Sequence, residues 1–228
     1  MYTLHCIMKA AQESEETTMN EHVRTARRLQ AETCLKHLHT NGFSADYFET
    51  AEEALVFLKG MIPAGSSIGF GGSETLKETG ILDWLTGNTE YTVYDRYHTD
   101  NPQKVFHDSL SADYYLMSTN ALTMDGHLYN VDNTGNRVAA LAYGPEHVII
   151  VTGTNKLVKD VQEAVLRNEY IAAPANNARI QRGNPCEETG YCVHCSRETS
   201  LCNQFLVTRR SRPAGRIHVI LINEDLGY

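Results

Sequence analysis

Hydrophobic and polar residues follow helical and strand spacing in turn along the chain. In residues 20–40 the apolar side chains recur at helical spacing, which predicts an amphipathic helix that ends at Asn41-Gly42. The residues predicted to share its buried face are Val23, Ala26, Ala31, Leu35 and Leu38. Thr50 and Glu53 form a T-x-x-E capping box, which predicts that a second helix begins there and continues to Met61.

Short apolar runs predict strands between the helices. Strands are predicted at residues 43–48, 66–70, 91–94, 113–117, 147–152, 205–208 and 217–222, and further helices at 74–85, 102–110, 137–143 and 156–170. Asp125-Gly126 is a tight-turn signal that predicts a hairpin over residues 121–131.

Strands that alternate with helices are typical of an α/β fold with a mainly parallel sheet and flanking helices. The sequence has no internal repeat and no low-complexity linker. We therefore expect a single α/β domain over residues 1–228, with an N-terminal helical part over 1–60 and a cysteine-rich segment over 184–204.

The composition is that of an ordinary globular protein, and its charge restricts the classes of partner. Of 228 residues, 42% are hydrophobic and 21% are charged, with a formal net charge of -8. This acidity argues against nucleic-acid binding, and the basic run of Arg209, Arg210 and Arg212 is typical of a solvated strand end.

No apolar run approaches the ~20 residues of a membrane span, and the start MYTLHCIMKA has no apolar stretch long enough for a signal peptide. We expect a cytoplasmic protein that binds neither nucleic acid nor membranes.

Four cysteines lie close together near the C-terminus: Cys186, Cys192, Cys195 and Cys202, with the spacing C-x5-C-x2-C-x6-C. Cysteines cluster either as a disulfide framework or as thiolate ligands of one soft metal centre. Because disulfides are disfavoured in a reducing cytoplasm, the pattern favours a metal centre.

Four thiolates satisfy either a tetrahedral zinc ion or a [4Fe–4S] cluster. Zinc folds usually pair two C-x2-C knuckles, and this segment has only one, so its uneven spacing favours a loop wrapped round a cluster. His194 lies between the paired cysteines and is predicted to be a neighbour of the metal, not a ligand. A redox dithiol of Cys192 and Cys195 is a further alternative, and Cys6 and Cys34 are predicted to be structural thiols.

A second candidate site is the glycine-rich loop that contains Gly71, Gly72, Ser73 and Thr75, between a predicted strand and a predicted helix. Glycines let the backbone approach an anion, and hydroxyls add donors. The loop lacks the ending of a Walker loop and the third glycine of a dinucleotide-binding loop. Because ligands bind at the carboxyl ends of strands in α/β sheets, we expect this loop to face an anionic small molecule. A tight turn with a serine cap is the alternative.

Polar side chains also accumulate over residues 118–126 and 129–137. This composition fits either ordinary turns or a binding site. Asp132 and Arg137 could form an ion pair with each other. Alternatively, the guanidinium of Arg137 could bind a substrate carboxylate or phosphate through two parallel hydrogen bonds. The sequence has no HExxH and no G-x-S-x-G pattern, so it gives no support to hydrolase chemistry.

Three stretches resemble the LUD (lactate utilisation) domain family. They are STNALTMDGHLYNVDNTGNRVAALAYGPEHVIIVTGTNK, the loop GFGGSETL, and the tail from NNARIQRGNPCEETGYCVHCSRETSLCN to RIHVILINEDLGY. The similarity extends from about residue 10 to the C-terminus. It concerns the shorter members, which are related to one subunit of the bacterial system that oxidises L-lactate to pyruvate.

The resemblance implies a fold like that of CoA transferases, pentose-phosphate isomerases and glucosamine-phosphate deaminases, where substrates lie beside a glycine-rich loop. By this analogy Gly71, Gly72, Ser73 and Thr75 line a pocket, with Asn120, Asp132, Asn136 and Arg137 opposite. Longer relatives carry paired ferredoxin-like cysteine repeats, which this chain lacks. The cysteine quartet is therefore the expected place for a cluster.

Three functional hypotheses are compatible with these observations. The first is a redox protein that holds a [4Fe–4S] cluster and works with other subunits of a lactate- or hydroxyacid-oxidising complex. The second is a non-redox enzyme or binding subunit for a sugar phosphate, nucleotide or CoA derivative, with structural zinc. The third is a regulatory or assembly subunit without chemistry of its own. Related folds often dimerise, so a homodimer is also an expectation.

Overall fold

A parallel sheet of six strands forms the centre of the protein, which confirms the predicted α/β class. The computed structural model describes residues 19–228, so Cys6 lies outside the described residues. The α-helices of this part are α1 (Glu21–Thr40), α2 (Ala51–Met61), α3 (Glu74–Glu78), α4 (Ile81–Thr86), α5 (Pro102–Ser109), α6 (Asn136–Ala142), α7 (Val161–Arg167), α8 (Ala173–Ile180) and α9 (Cys186–Thr189). The strands are β1 (Ser44–Phe48), β2 (Ser67–Phe70), β3 (Thr92–Tyr94), β4 (Tyr114–Met117), β5 (Ala121–Thr123), β6 (Leu128–Asp132), β7 (His147–Gly153), β8 (Leu157–Val158), β9 (Gln204–Thr208) and β10 (Ile217–Ile222).

The strands form two sheets. The large sheet has the order β1-β10-β7-β4-β2-β3, and each pair of neighbouring strands in it is parallel. The small sheet has the order β8-β5-β6-β9. In it, β5 and β6 form the predicted antiparallel hairpin around Asp125-Gly126, and β9 extends it antiparallel to β6.

The core lies on both faces of the large sheet, because side chains alternate along its strands. Tyr115 and Met117 of β4 pack on the face covered by α1, α6 and the small sheet. Leu116, between them, packs on the opposite face against α2, α3 and α4. Strands β7 and β10 alternate in the same way, so the nearly continuous apolar run of β7 is explained by burial on both faces.

The two helices expected near the N-terminus are present. Asn20 caps α1 through its side chain, and Thr50 caps α2 by accepting a hydrogen bond from the Glu53 N–H at 3.3 Å. Ala31, Cys34 and Leu38 of α1 are buried in the same cluster as the central strands. Val23 and Ala26, which were predicted for this face, are exposed.

The predicted helix over residues 74–85 is interrupted. It consists of α3 and α4, because Gly80 between them has φ +68°. This left-handed conformation ends a helical run, and glycine adopts it without a steric cost.

The predicted helix over residues 156–170 begins later than expected. Residues 154–156 form a 3₁₀ turn, and β8 then pairs with β5. Helix α7 begins only after Asp160, whose carboxylate accepts hydrogen bonds from the N–H groups of Gln162 and Glu163, each at 3.0 Å. Asp160 is thus the N-cap of α7, and the apolar pattern of the sequence did not indicate that the helix begins there. The chain then passes through a π-helical turn, Asn168–Ala172, into α8.

The helices of residues 19–228 include none with the length and apolar character needed to cross a bilayer.

Candidate functional site

Loops at the carboxyl ends of four parallel strands surround a cavity of about 440 Å³, which we call the ligand cavity. Its wall includes Gly72–Thr75 after β2, Arg96 after β3, Ser118–Asn120 after β4, and Lys156 after β7. The carboxyl ends of parallel strands meet at one edge of a sheet, which explains why residues far apart in sequence converge here.

Seven of the eight residues predicted to bind a ligand line this cavity: Gly72, Ser73, Thr75, Asn120, Asp132, Asn136 and Arg137. Gly71 lies beneath Arg137 instead. A Cβ atom at position 71 would lie 2.7 Å from Arg137 Cδ, so the glycine makes room for the arginine side chain. A Cβ atom at position 72 would lie 3.3 Å from Arg96 Nη1. The two glycines therefore allow two arginines to approach the loop.

Ser73 caps a helix and also lies on the wall of the ligand cavity. Its Oγ accepts a hydrogen bond from the Leu76 N–H at 3.2 Å and so caps α3. The same residue lines the ligand cavity.

Asp132 and Arg137 form the ion pair that was one of the two predicted alternatives. Arg137 Nε lies 3.2 Å from Asp132 Oδ1, and Arg137 Nη2 donates to the Val131 carbonyl at 2.7 Å. The other carboxylate oxygen of Asp132 accepts from the Arg137 N–H at 2.9 Å. This buried carboxylate therefore fixes the position of the arginine at the cavity wall.

Lys156 lines the same cavity, although the sequence reasoning did not select it. Its side chain is buried, and Nζ donates to Thr75 Oγ1 at 2.9 Å and to Ser118 Oγ at 3.2 Å. Burial, assisted by the nearby positive charge of Arg167, lowers the pKa of this amine to about 7. The available signal was its position just after the apolar strand β7, at the sheet edge where ligands bind.

The lining of the ligand cavity carries an excess of positive charge in a chain whose net charge is -8. The cations are Arg96, Arg137, Lys156, Arg179 and Arg182, and the acids are Glu74 and Asp132. Arg96 stacks on Phe106, with its guanidinium carbon 4.9 Å from the ring centroid, and within residues 19–228 it forms no ion pair. Such a surface attracts an anion.

The four clustered cysteines line a second, neighbouring cavity of about 230 Å³, which we call the cysteine cavity. Its other walls include apolar side chains of Tyr129, Val193, Leu201 and Phe205. All four cysteines are free thiols. The segment is anchored to the π-helical turn, because the Cys192 N–H donates to the Glu169 carbonyl at 2.8 Å.

Geometry inside the cysteine cavity limits what can be bound. Within residues 19–228 there is no group of three or more His, Cys, Asp or Glu side chains placed to hold a single metal ion. The four thiols nevertheless influence one another: burial, followed by the charges of Cys192, Cys186 and Cys195, raises the pKa of Cys202 to about 11. His194 is 76% exposed in its side chain and faces Glu169, with Nδ1 3.7 Å from Oε1.

The two cavities share part of their walls. The residues that line both are Asn168, Ala173, Asn177, Leu201 and Cys202. Three of these belong to the π-helical turn or to α8, and π-helical turns occur frequently at functional sites. Cys202 thus lines both the ligand cavity and the cavity that the other three cysteines line.

Comparisons with known proteins give one family. The family model described as the LUD domain matches residues 31–222. No curated protein matches the chain. Among solved structures, a DUF162 family protein from Deinococcus radiodurans is 18% identical, with a TM-score of 0.48 over 88% of this chain and 98% of that one. The eIF2B delta of Chaetomium thermophilum is 14% identical, with a TM-score of 0.33 over 59% of this chain and 55% of that one.

Proposed function

The chain belongs to the LUD domain family, and from that premise we propose that it is an iron–sulfur redox protein. In this proposal the ligand cavity binds lactate or a related small hydroxyacid, and Cys186, Cys192, Cys195 and Cys202 hold a [4Fe–4S] cluster. The protein then supports oxidation of the hydroxyacid together with other subunits of a redox complex.

The observation that carries the proposal is the wall common to the two cavities. Cys202 lines both of them, and its neighbour Asn203 donates its N–H to the Asp132 carbonyl at 3.0 Å. A metal centre on the four thiolates would therefore be adjacent to a ligand held by the cavity that Asp132 and Arg137 line. Electron exchange between a substrate and a cofactor needs such proximity.

The donor set fits a cluster better than zinc. A single zinc ion needs four ligands at about 2.3 Å, and so needs the sulfurs close to one another. In a [4Fe–4S] cluster each thiolate binds a different iron, so the sulfurs stand farther apart. All four thiols line one cavity of about 230 Å³, and among the described residues no three are placed for a single ion, which supports a cluster over zinc.

The protein's own residues would bind and orient the acid. Arg96, Arg137 and Lys156 supply positive charge for a carboxylate, and Asn120 and Asn136 supply amide groups for a hydroxyl or carbonyl oxygen. A cluster, when bound, supplies one-electron chemistry next to that ligand.

The test is the electron paramagnetic resonance spectrum of anaerobically purified, dithionite-reduced protein with and without L-lactate or pyruvate. We expect either acid to shift the cluster signal, because Cys202 lines the ligand cavity. Arg137→Ala should keep the iron but lose the shift, whereas the exposed Arg209→Ala should behave as wild type. An iron-loaded protein whose signal neither acid alters would refute the redox role.

A second candidate function is supported by the size of the ligand cavity. About 440 Å³ with five cationic residues exceeds the needs of a three-carbon acid and suits a sugar phosphate, nucleotide or CoA derivative. In that case the protein is a non-redox enzyme or binding subunit, and the cysteines hold structural zinc. Stoichiometric zinc that survives oxidation, together with thermal stabilisation by such a phosphorylated ligand, would favour this alternative.

A further inference from the structure

Lys156 carries a buried amine whose two hydrogen-bond partners are neutral hydroxyls. Its side chain is on the wall of the ligand cavity, and the residue is 2% exposed. Nζ donates to the hydroxyls of Thr75 and Ser118, at 2.9 and 3.2 Å. An ammonium group has three N–H donors, and the described residues provide no acceptor for the third.

The acids near Lys156 are engaged with other groups. Glu78, the carboxylate that acts most on Lys156, accepts the Gly227 N–H at 2.5 Å. Glu74 pairs with Arg179, and Asp132 pairs with Arg137. Within residues 19–228, Lys156 forms no ion pair of its own.

Positive charges surround the amine and oppose its protonation. Burial has the largest effect on the pKa of Lys156, Arg167 and Arg137 lower it further, and Glu78 raises it. The other titratable groups of the cavity wall are Glu74, Arg96, Tyr97, Asp132, Arg179, Arg182, Cys202 and Tyr228. The described residues thus provide no ion pair for a protonated Lys156, and an anion in the cavity would supply one.

We propose that Lys156 binds the acidic group of the ligand and takes up a proton from solvent as the ligand binds. Thr75 and Ser118 orient the ammonium, which leaves its remaining N–H for a carboxylate or a tetrahedral oxyanion. The ligand must therefore carry a negative charge, and a neutral amide of the same shape is rejected. The inference rests on the proposed function only in taking this cavity as the binding site.

Proton uptake gives the binding a characteristic pH dependence. The free amine titrates near pH 7, and a bound anion raises its pKa by favouring the charged form. Above pH 7 the protein must acquire a proton in order to bind, so its affinity falls as the pH rises. Between pH 6 and pH 8 the protonated fraction falls about tenfold, and the affinity should fall by the same factor.

Calorimetric titration of the full chain tests this with three probes: L-lactate, neutral lactamide and inorganic sulfate, each at pH 6 and pH 8. Neither anion changes its own charge between these values. Wild type should bind an anion about tenfold more weakly at pH 8, and the heat should depend on the ionisation enthalpy of the buffer. Lys156→Met should bind weakly at both pH values, and Lys156→Arg should remove the pH dependence.

The outcomes show which of the two proposals fails. If L-lactate binds wild type at pH 8 without proton uptake, Lys156 does not have this role, whatever its variants do, and the proposed function stands. If only sulfate binds, with proton uptake, the role of Lys156 stands and the hydroxyacid function falls. If lactamide binds as tightly as lactate, the role of Lys156 falls and the proposed function stands. If neither anion binds, both proposals are overturned.

Discussion

At the scale of single residues, we expect the burial of the Lys156 amine to lower the free energy of unfolding. Its pKa is about 7 in the folded protein against 10.5 for an ordinary lysine, so between these values the unfolded chain binds more protons. Stability therefore rises with pH from about 7 to 10.5, and the penalty is fully present below pH 7. Each unit of difference in pKa corresponds to about 1.4 kcal/mol. The buried amine therefore lowers the free energy of unfolding by at most about 5 kcal/mol.

We accordingly predict that Lys156→Met unfolds at a higher urea concentration than wild type at pH 6, with a smaller difference at pH 10. The apolar side chain removes a buried charge and keeps a similar volume. Urea unfolding at the two pH values measures the effect. A variant less stable than wild type at pH 6 would mean that the ammonium is already balanced inside the protein.

Asp132 should matter to stability as well as to binding. Asp132→Asn removes the charge that pairs with Arg137 and keeps only one of the two oxygens that accept from the backbone N–H and the Nε of that arginine. We expect a loss of about 2 kcal/mol in the free energy of unfolding. Urea unfolding should show it, whereas Asp83→Asn, at an exposed carboxylate of α4, should stay within about 0.5 kcal/mol of wild type. Equal stabilities of the two variants would show that the pair contributes nothing.

At the scale of elements, helix α7 controls the wall that both cavities share, because the π-helical turn follows it directly. Asp160→Ala removes the acceptor for two N–H groups and should cost about 1 kcal/mol. Asp160→Asn keeps a capping oxygen and serves as the matched control. Urea unfolding measures both variants, and no difference between them would mean that the cap is not needed.

The boundaries of this region were hard to predict for a physical reason. Leu157 and Val158 continue the apolar period of α7, so the pattern alone extends the helix over them. Their extended conformation comes from pairing with β5, some 35 residues away, which local spacing does not reveal. Gly80 is different, because a glycine within a helical pattern was a visible warning of the break between α3 and α4.

At the scale of the whole molecule, the parallel sheet was predictable and the full composition of the site was not. Apolar runs, caps and the Asp125-Gly126 turn are local signals, and they gave the strands and their alternation with helices. The glycine-rich loop and Arg137 were also accessible, because polar residues at strand ends suggest a site. Lys156 meets Thr75 across 81 positions of sequence, so only the fold shows that they are partners.

The common wall of the two cavities likewise appears only in three dimensions. Cys202 and Asn120 are distant in sequence, yet both line the ligand cavity. The spacing of the four cysteines along the sequence identified them as a set. The structure places all four around one cavity beside the ligand cavity. Adjacency of a thiol-lined cavity to a cationic one is the basis of the functional proposal.

The most direct measurement is the iron and acid-labile sulfide content of protein purified and reconstituted without oxygen. We predict about four of each per chain in wild type, a marked loss in Cys202→Ser, and no change in Cys34→Ser, whose buried side chain keeps a donor for the Thr123 carbonyl. A wild-type chain that holds one zinc ion, or no metal at all, would contradict it.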